Sequence, residues 1–361
     1  MPDQTLDETL LTVGSASPFL PDTHIQFAWD STCLGLIKTC PRLYQYTMID
    51  GYVAKGESIH LRFGIEYHQA LQDYDIARAE GTSHEDAVRS SISELVRRTH
   101  DWSVDETVKP GKYKNRTTLV SLVLDYLDHY VDDPAETYIK SDGKPAVELS
   151  FRFELDWGPE AGRKTEIIDS GKPYVMDLNP GAINMIEANG NASELKIVEQ
   201  PYLLCGHMDR VVSFNDQLFV MDHKTTTTTP SQYYFDQYEP HNQMTLYTIA
   251  GQVVLGAPIK GVIVRAAQIL LEKENRFVSG FTIRTPDQLE EWMYDLRLHL
   301  ERAEEYATAG YWPMNDTACD KFGGCKFRQV CSKSPSVREI YLRSDFEQLP
   351  LEERWNPLRS R

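Results

Sequence analysis

The chain has 361 residues, 41% of them hydrophobic and 25% charged, with a formal net charge of −17; this composition can bury a substantial core in one large domain or two closely packed ones. The charge excludes a protein that coats nucleic acid through a broad positive surface, but it allows an acidic cleft whose bound cation faces a phosphate. No apolar stretch approaches the roughly 20 residues that span a bilayer, and the acidic start MPDQTLDETL lacks the basic flank and apolar core of a secretory signal, so a cytoplasmic location is expected.

Residues 1–30 show no sustained period and are expected to lie extended over the surface or to remain loose. From 31 to 135 the pattern is helical. RFGIEYHQALQDYDIARA places Phe63, Tyr67, Ala70, Leu71 and Tyr74 at spacings of three and four, and RTTLVSLVLDYLDHYV does the same with Leu119, Leu122, Val123 and Leu127. Each predicts a helix with one buried face. Before the second, KPGKYKNR carries Lys109, Lys112, Lys114 and Arg116 with no acid among them; it is either a hold on a phosphate backbone or a solvated loop.

A sheet core is expected over 145–310. AVELSFRFEL alternates Val147, Leu149, Phe151 and Phe153 against Glu148, Ser150, Arg152 and Glu154, which is strand periodicity. Residues 157–195, rich in Gly, Pro, Asn and Asp, read as loop with at most one irregular hairpin. YLLCGHMDRVVSF and QLFVMDHKTT then read as two strands joined by the turn-forming NDQ. HNQMTLYTIAGQVV predicts a helix, GVIVRAAQIL and RFVSGFTIR predict strands, and PDQLEEWMYDLRLHLERAEEYATA predicts a long helix with Pro286 in its first turn. Residues 311–335 hold a cysteine cluster and 336–361 form a tail. There is no internal repeat.

On a strand, residues two apart share a face, so Asp222 and Lys224 point one way and His223 the other. If the two strands pair around NDQ, Asp209 lies across from Asp222 or nearly so, within reach of one ion. Two carboxylates converging on magnesium or manganese, with a lysine beside them, are the equipment for hydrolysing a phosphodiester. Alternating charges on a solvent-facing strand also produce such a triplet, but the preceding LFVM is almost wholly apolar. That places the triplet in a core sheet, where a charged pair is expensive without a function. Glu148 either faces the same cleft or points to solvent, and Arg210 either binds phosphate or pairs with an acid. Taken singly, His68 fits a packed histidine, and Gln243 and Tyr247 fit ordinary helix surface and core.

Together these residues resemble the RecB-like branch of the PD-(D/E)XK nucleases, which includes the AddB nuclease domain and the CRISPR-associated RecB-like exonucleases. The resemblance runs from Cys40 to Cys331, and its parts stand in the family order: GIEYH, GHMDRV, VMDHKT, QMTLY. It implies an α/β restriction-endonuclease-like core, a central mixed sheet flanked by helices, with an N-terminal helical region and a C-terminal iron-sulfur staple. It also implies that His68, Asp209 and Asp222 ligate metal, that Lys224 is the catalytic lysine, and that Gln243 and Tyr247, four apart on one helical face, stand beside the site. The acid before the lysine is Asp222 where many members of the wider superfamily have glutamate, and the insertion between AVELSFRFEL and GHMDRV is unusually long. No G-x-x-x-x-G-K-[ST] stretch occurs, so any helicase is another chain.

CDKFGGCKFRQVC sets Cys319, Cys325 and Cys331 with five residues between neighbours, and KTCPRLYQY offers Cys40 as a fourth ligand. Clustered thiols in a reducing compartment point to metal before disulfides. Structural zinc usually pairs cysteines two to four residues apart, whereas four thiolates with one distant in sequence also suit a 4Fe-4S cluster. The resemblance favours the cluster, because AddB and its relatives carry one cysteine in a CPR.Y context before the nuclease motifs and three after them. The even spacing of the last three keeps zinc as the alternative. Cys33 and Cys205 read as buried thiols, with Cys33 able to substitute for Cys40. The function so implied is a magnesium- or manganese-dependent DNA exonuclease acting on single-stranded ends in recombination, repair or processing, in a phage or CRISPR-associated setting and with a separate helicase or recombination protein as a partner. The alternative is a non-cleaving DNA-end or partner-binding module that keeps the fold.

Overall fold

The computed structural model describes residues 17–56, 58–159, 163–168, 174–176, 185–187, 194–320 and 324–359. The N-terminal part holds strand β1 (Ala28–Trp29), helices α1 (Ser31–Thr39) and α2 (Pro41–Tyr44), β2 (Tyr52–Ala54), α3 (Ile59–Ala79), α4 (His84–Arg98) and α5 (Arg116–His129). Strands follow: β3 (Glu136–Thr137), β4 (Val147–Glu154), β5 (Arg163–Ile168), β6 (Tyr174–Met176), β7 (Met185–Glu187), β8 (Glu194–Glu199), β9 (Leu203–Phe214) and β10 (Gln217–Thr226). The chain continues through α6 (Gln232–Asp236), α7 (Asn242–Leu255), β11 (Ile259–Gln268), β12 (Arg276–Ile283), α8 (Pro286–Ala309), α9 (Arg328–Cys331), α10 (Arg338–Asp345) and β13 (Phe346–Gln348).

The central sheet is mixed and runs β1-β9-β10-β11-β12, with β3 and β4 also paired to β9. Asn215 and Asp216 both adopt positive φ, 50° and 59°; this is the type I′ geometry that closes a two-residue hairpin, here β9 onto β10. β10 and β11 are parallel, and the crossover that such a pairing requires is supplied by α6 and α7. Period-two alternation on β10 sorts its side chains. Val220 packs with Val262, Val264 and the α7 residues Leu246 and Ala250, while Phe219 and Met221 pack on the opposite face with Val212 and Ile263. A second core joins α3, α4 and α5 to the end of β11 through Phe63, Tyr67, Leu95, Leu119, Ala267 and Ile269. Leu95 and Leu119 are fully buried, each worth roughly 2–3 kcal/mol. Both helices expected between residues 59 and 130 therefore form with the expected faces inward. α8 begins at a Thr285–Gln288 capping box with Pro286 in its first turn, and ends at Gly310 in the left-handed conformation. Among the described residues no helix is long and apolar enough to cross a membrane.

Three expectations differ from the structure. Residues 25–30 are not loose: β1 pairs in parallel with β9, and Ala28 and Trp29 are buried. Two strand residues are too few for a period to register in sequence, and the burial comes from packing Trp29 on Tyr44, ring centroids 5.6 Å apart. Within the insertion at 157–195, β5 pairs with β8 and β6 with β7, both antiparallel, so two strand pairs stand where one hairpin was expected; apart from 157–159, the rest of that stretch lies outside the described residues, as do residues 1–16. The segment 336–361, read as a tail, is tied to the fold where it is described: β13 pairs with β2, and Leu342 and Phe346 pack on Tyr46, Tyr52, Phe327 and Val330.

Candidate active site at a fork between two strands

The antiparallel register of β9 and β10 runs from Gln217↔Phe214 to Met221↔Arg210 and stops there. β10 continues to Thr226, paired only on its other edge, to β11. One further step of the hairpin register would bring Asp222 opposite Asp209, so the two acids face each other where the strands part. α7 lies over this fork, and α3 brings in His68.

Asp222 is buried, at 1% side-chain exposure, and Lys224 Nζ stands 3.0 Å from its Oδ1 and 2.7 Å from its Oδ2. The same ammonium donates to Gln243 Oε1 at 3.2 Å, and Gln243 Nε2 donates to the Tyr247 hydroxyl at 2.9 Å. On the other side, Asp209 Oδ2 accepts the His223 backbone N–H at 2.9 Å and lies 3.1 Å from His68 Nδ1. The structure thus gathers His68, Asp209, Asp222, Lys224, Gln243 and Tyr247 around one cleft of about 560 Å³.

Electrostatics set the protonation states. Burial pushes the Asp222 carboxyl up, and the neighbouring Asp209 charge adds to this against the pull of Lys224. Burial would also raise Asp209, but the His68 and His223 imidazoles outweigh it and hold that carboxyl well below its usual range. Burial would lower Lys224 and His68, yet their carboxylate neighbours win and raise both. His223 goes the other way: burial dominates and keeps it neutral.

Two acids that repel each other, Asp222 buried and Asp209 partly so, form an oxygen donor set suited to a hard divalent cation. Among the described residues, however, no three His, Cys, Asp or Glu side chains converge on one ion-sized point. The reason is visible in the contacts: Asp222 is turned to Lys224, and Asp209 to His68.

Glu148 lies in the cleft rather than out in solvent. Its φ is +48°, and its neighbours Val147 and Leu149 pair with Arg210 and Met208, so it stands opposite Asp209 in register. A non-glycine residue held there costs roughly 1–2 kcal/mol, and such strain is typical of functional sites. Arg210 serves the fold: it is buried, donates to Asp75 at 2.7 Å and to the Ala135 carbonyl at 2.6 Å. The basic stretch divides. Lys114 is buried, 5.3 Å over the Phe63 ring, with Nζ on Thr225 Oγ1 at 3.3 Å; Arg116 donates to Thr99 Oγ1 and the Val96 carbonyl. Lys109 and Lys112 are the exposed members.

Sequence reasoning missed two contributions. His223, expected to point away, does so, yet its ring reaches Asp209 Oδ2 at 3.5 Å and joins the Tyr126 hydroxyl at 2.9 Å. Tyr126 in turn accepts from Arg265 at 3.1 Å, and Arg265 pairs with Asp133. The second is the cleft wall formed by Asp30, from the segment read as extended or loose, and Trp355, from the segment read as a tail. No periodicity marks either.

Cys40, Cys319, Cys325 and Cys331 line one small cavity. Cys40 Sγ accepts the Asn315 backbone N–H at 3.3 Å, and Asn315 Nδ2 donates to the Thr39 carbonyl at 2.8 Å, so the segment after α8 is laid directly on α1. Burial and the neighbouring Cys325 and Cys40 thiols raise Cys319. Cys33 is elsewhere, buried in the main core, and burial pushes Cys205 up to about 12; both are inert thiols.

Residues 32–332 match the model of a family described as the PD-(D/E)XK nuclease superfamily. Among curated proteins no match is found.

Proposed function

The chain belongs to the PD-(D/E)XK nuclease superfamily, and we propose that it is a magnesium- or manganese-dependent deoxyribonuclease of the RecB-like branch that degrades DNA from single-stranded ends. The observation that carries this reading is the fork itself, with Asp209 and Asp222 in facing register and Lys224 Nζ bridging Asp222 and Gln243.

In this reading Asp209, Asp222 and His68 hold the divalent ion, which when bound supplies positive charge for activating water and polarising the scissile phosphate. Lys224, fixed by Asp222 and Gln243, orients the attacking water and offsets charge on the phosphate. Tyr247 fixes Gln243, and the His223–Tyr126 contact fixes the far side of Asp209. Hydrolysis joins the water oxygen to phosphorus, breaks the bond to the leaving oxygen and returns a proton to that oxygen. The four cysteines hold a 4Fe-4S cluster that ties the N-terminal helices to the segment after α8; their shared cavity and the N–H···S bond to Cys40 suit a thiolate-bound metal, and the resemblance to the RecB-like branch chooses the cluster over zinc. A separate helicase or recombination protein supplies the single strand.

The test is a time course on end-labelled linear and on circular single-stranded DNA with magnesium, manganese or chelator, using anaerobically purified protein. Loss of the linear substrate alone, and only with metal, is expected; cutting of circles would refute end dependence. Roughly four irons per chain, lost in Cys331→Ser, would support the cluster, and stoichiometric zinc would overturn it.

A further inference from the structure

The cleft that holds Asp209 and Asp222 has an apolar wall that the hydrolytic chemistry does not use. Leu61 and Ile65 on α3 are 61% and 50% exposed, and Trp355, near the C-terminal end, is 42% exposed; all three line the same cleft as the acids. Leu61, Ile65 and His68 follow one another at spacings of four and three, so they form one stripe of α3 leading to the candidate metal ligand. Trp355 is held in place. Its indole N–H donates to Asp30 Oδ2 at 2.7 Å, and the other oxygen of Asp30 accepts the Cys33 backbone N–H at 2.8 Å. An exposed indole fixed at one edge by a buried carboxylate is a flat surface already ordered before any ligand arrives, so little side-chain entropy remains to be lost on contact.

Large apolar side chains left in water beside a phosphate-cutting centre call for a ligand with an apolar face. A nucleotide in an unpaired strand carries both parts, a phosphate for the cation that the acids would hold and a base with a π-face for the wall. A base inside a duplex has its faces covered by its neighbours and offers none. We infer that Trp355, with Leu61 and Ile65, forms a base-stacking wall that takes an unpaired base of the DNA strand entering the cleft. This rests on the nuclease reading of the site and adds to it the part of the substrate recognised outside the phosphate. Trp355 is in this sense a binding residue, and selection for single strands comes from the wall.

The experiment compares binding of the full chain, with calcium in place of magnesium, to a fluorescently labelled single-stranded oligonucleotide and to one of equal length built of abasic nucleotides. Wild type should bind the normal strand more tightly. Trp355→Ala should weaken that binding about tenfold, within the range for one base–aromatic stack, leave the abasic strand unchanged, and be largely restored by Trp355→Phe. The paired change Leu61→Ser with Ile65→Ser alters only exposed positions on α3 and should lower the preference for bases in the same way. Equal affinity of wild type for both strands, or Trp355→Ala and the serine pair both binding as wild type does, would overturn the wall. The two readings separate cleanly: base-dependent binding with no cleavage in magnesium or manganese would sink the nuclease and spare the wall, while metal-dependent cleavage without base preference would do the reverse.

Discussion

Asp133 stands between two buried guanidinium groups, and its removal gives a large, calculable penalty. Its oxygens lie 2.6 Å from Arg265 Nη1 and 2.6 Å from Arg265 Nη2, and 3.6 Å from Arg210 Nη2. The side chains of Asp133, Arg265 and Arg210 are 10%, 5% and 9% exposed. In Asp133→Ala, Arg210 keeps Asp75 at 2.7 Å. Among the described residues Arg265 keeps the Tyr126 hydroxyl at 3.1 Å and the face of Tyr130 at 3.9 Å, which leaves a cation buried without its counter-charge. Such a loss costs about 3–5 kcal/mol, a large share of the 5–15 kcal/mol typical of a whole domain. Urea unfolding followed by circular dichroism should show a lower midpoint at unchanged slope. The pair Asp133→Ala with Arg265→Met removes both charges and should recover much of the loss, because the single variant's cost is the stranded cation. A single-variant cost below about 1 kcal/mol, or a double variant as unstable as the two singles added, would refute the argument.

At Gly206 an added Cβ would lie 2.6 Å from Phe151 Cζ and 2.9 Å from its Cε1, and Phe151 is itself buried; Gly206→Ala should therefore cost about 1–3 kcal/mol by overpacking, read from the urea midpoint. His241, at the start of α7, is held neutral by burial, with Lys224 and Arg284 adding to the effect, and its pKa falls to about 4. The folded chain refuses a proton that the unfolded chain accepts from pH 6.5 downward, so stability is lost as pH falls from 6.5 towards 4, by at most about 3 kcal/mol. Thermal melts across that range should fall more steeply for wild type than for His241→Gln, and parallel curves would disprove it. Tyr247→Phe removes the hydroxyl that holds Gln243 and should slow DNA cleavage about fivefold, the worth of one ordinary hydrogen bond, with the melting temperature unchanged.

Much of the site was legible in the sequence because its parts obey local rules. Asp222 and Lys224 share a strand face, NDQ makes the hairpin that faces Asp209 with Asp222, and Gln243 and Tyr247 lie one helical turn apart. Those relations need only strand and helix periods. What escaped depends on contacts distant in sequence. His223 meets Tyr126 across 97 positions and Trp355 meets Asp30 across 325; no pattern within either segment encodes such a meeting. β1 and β13 escaped for a related reason, since two and three residues are too few to show alternation, and their pairing is decided by the strand already waiting in the fold. Glu148 shows the limit of periodicity in another way: strand alternation assigns it a side, but its left-handed φ of +48° turns the backbone at the point where it faces Asp209.

The central claim is that one acidic fork hydrolyses DNA. Asp222→Asn tests it most directly, because it keeps the size of a fully buried side chain while removing the charge that would hold metal and pair with Lys224. Cleavage of end-labelled single-stranded DNA should be measured for wild type and variant over a magnesium and a manganese titration, beside a circular dichroism spectrum of each. Metal-dependent cleavage by wild type and none by an equally folded variant is the expected result. Undiminished cleavage by the variant would place the chemistry elsewhere in the molecule.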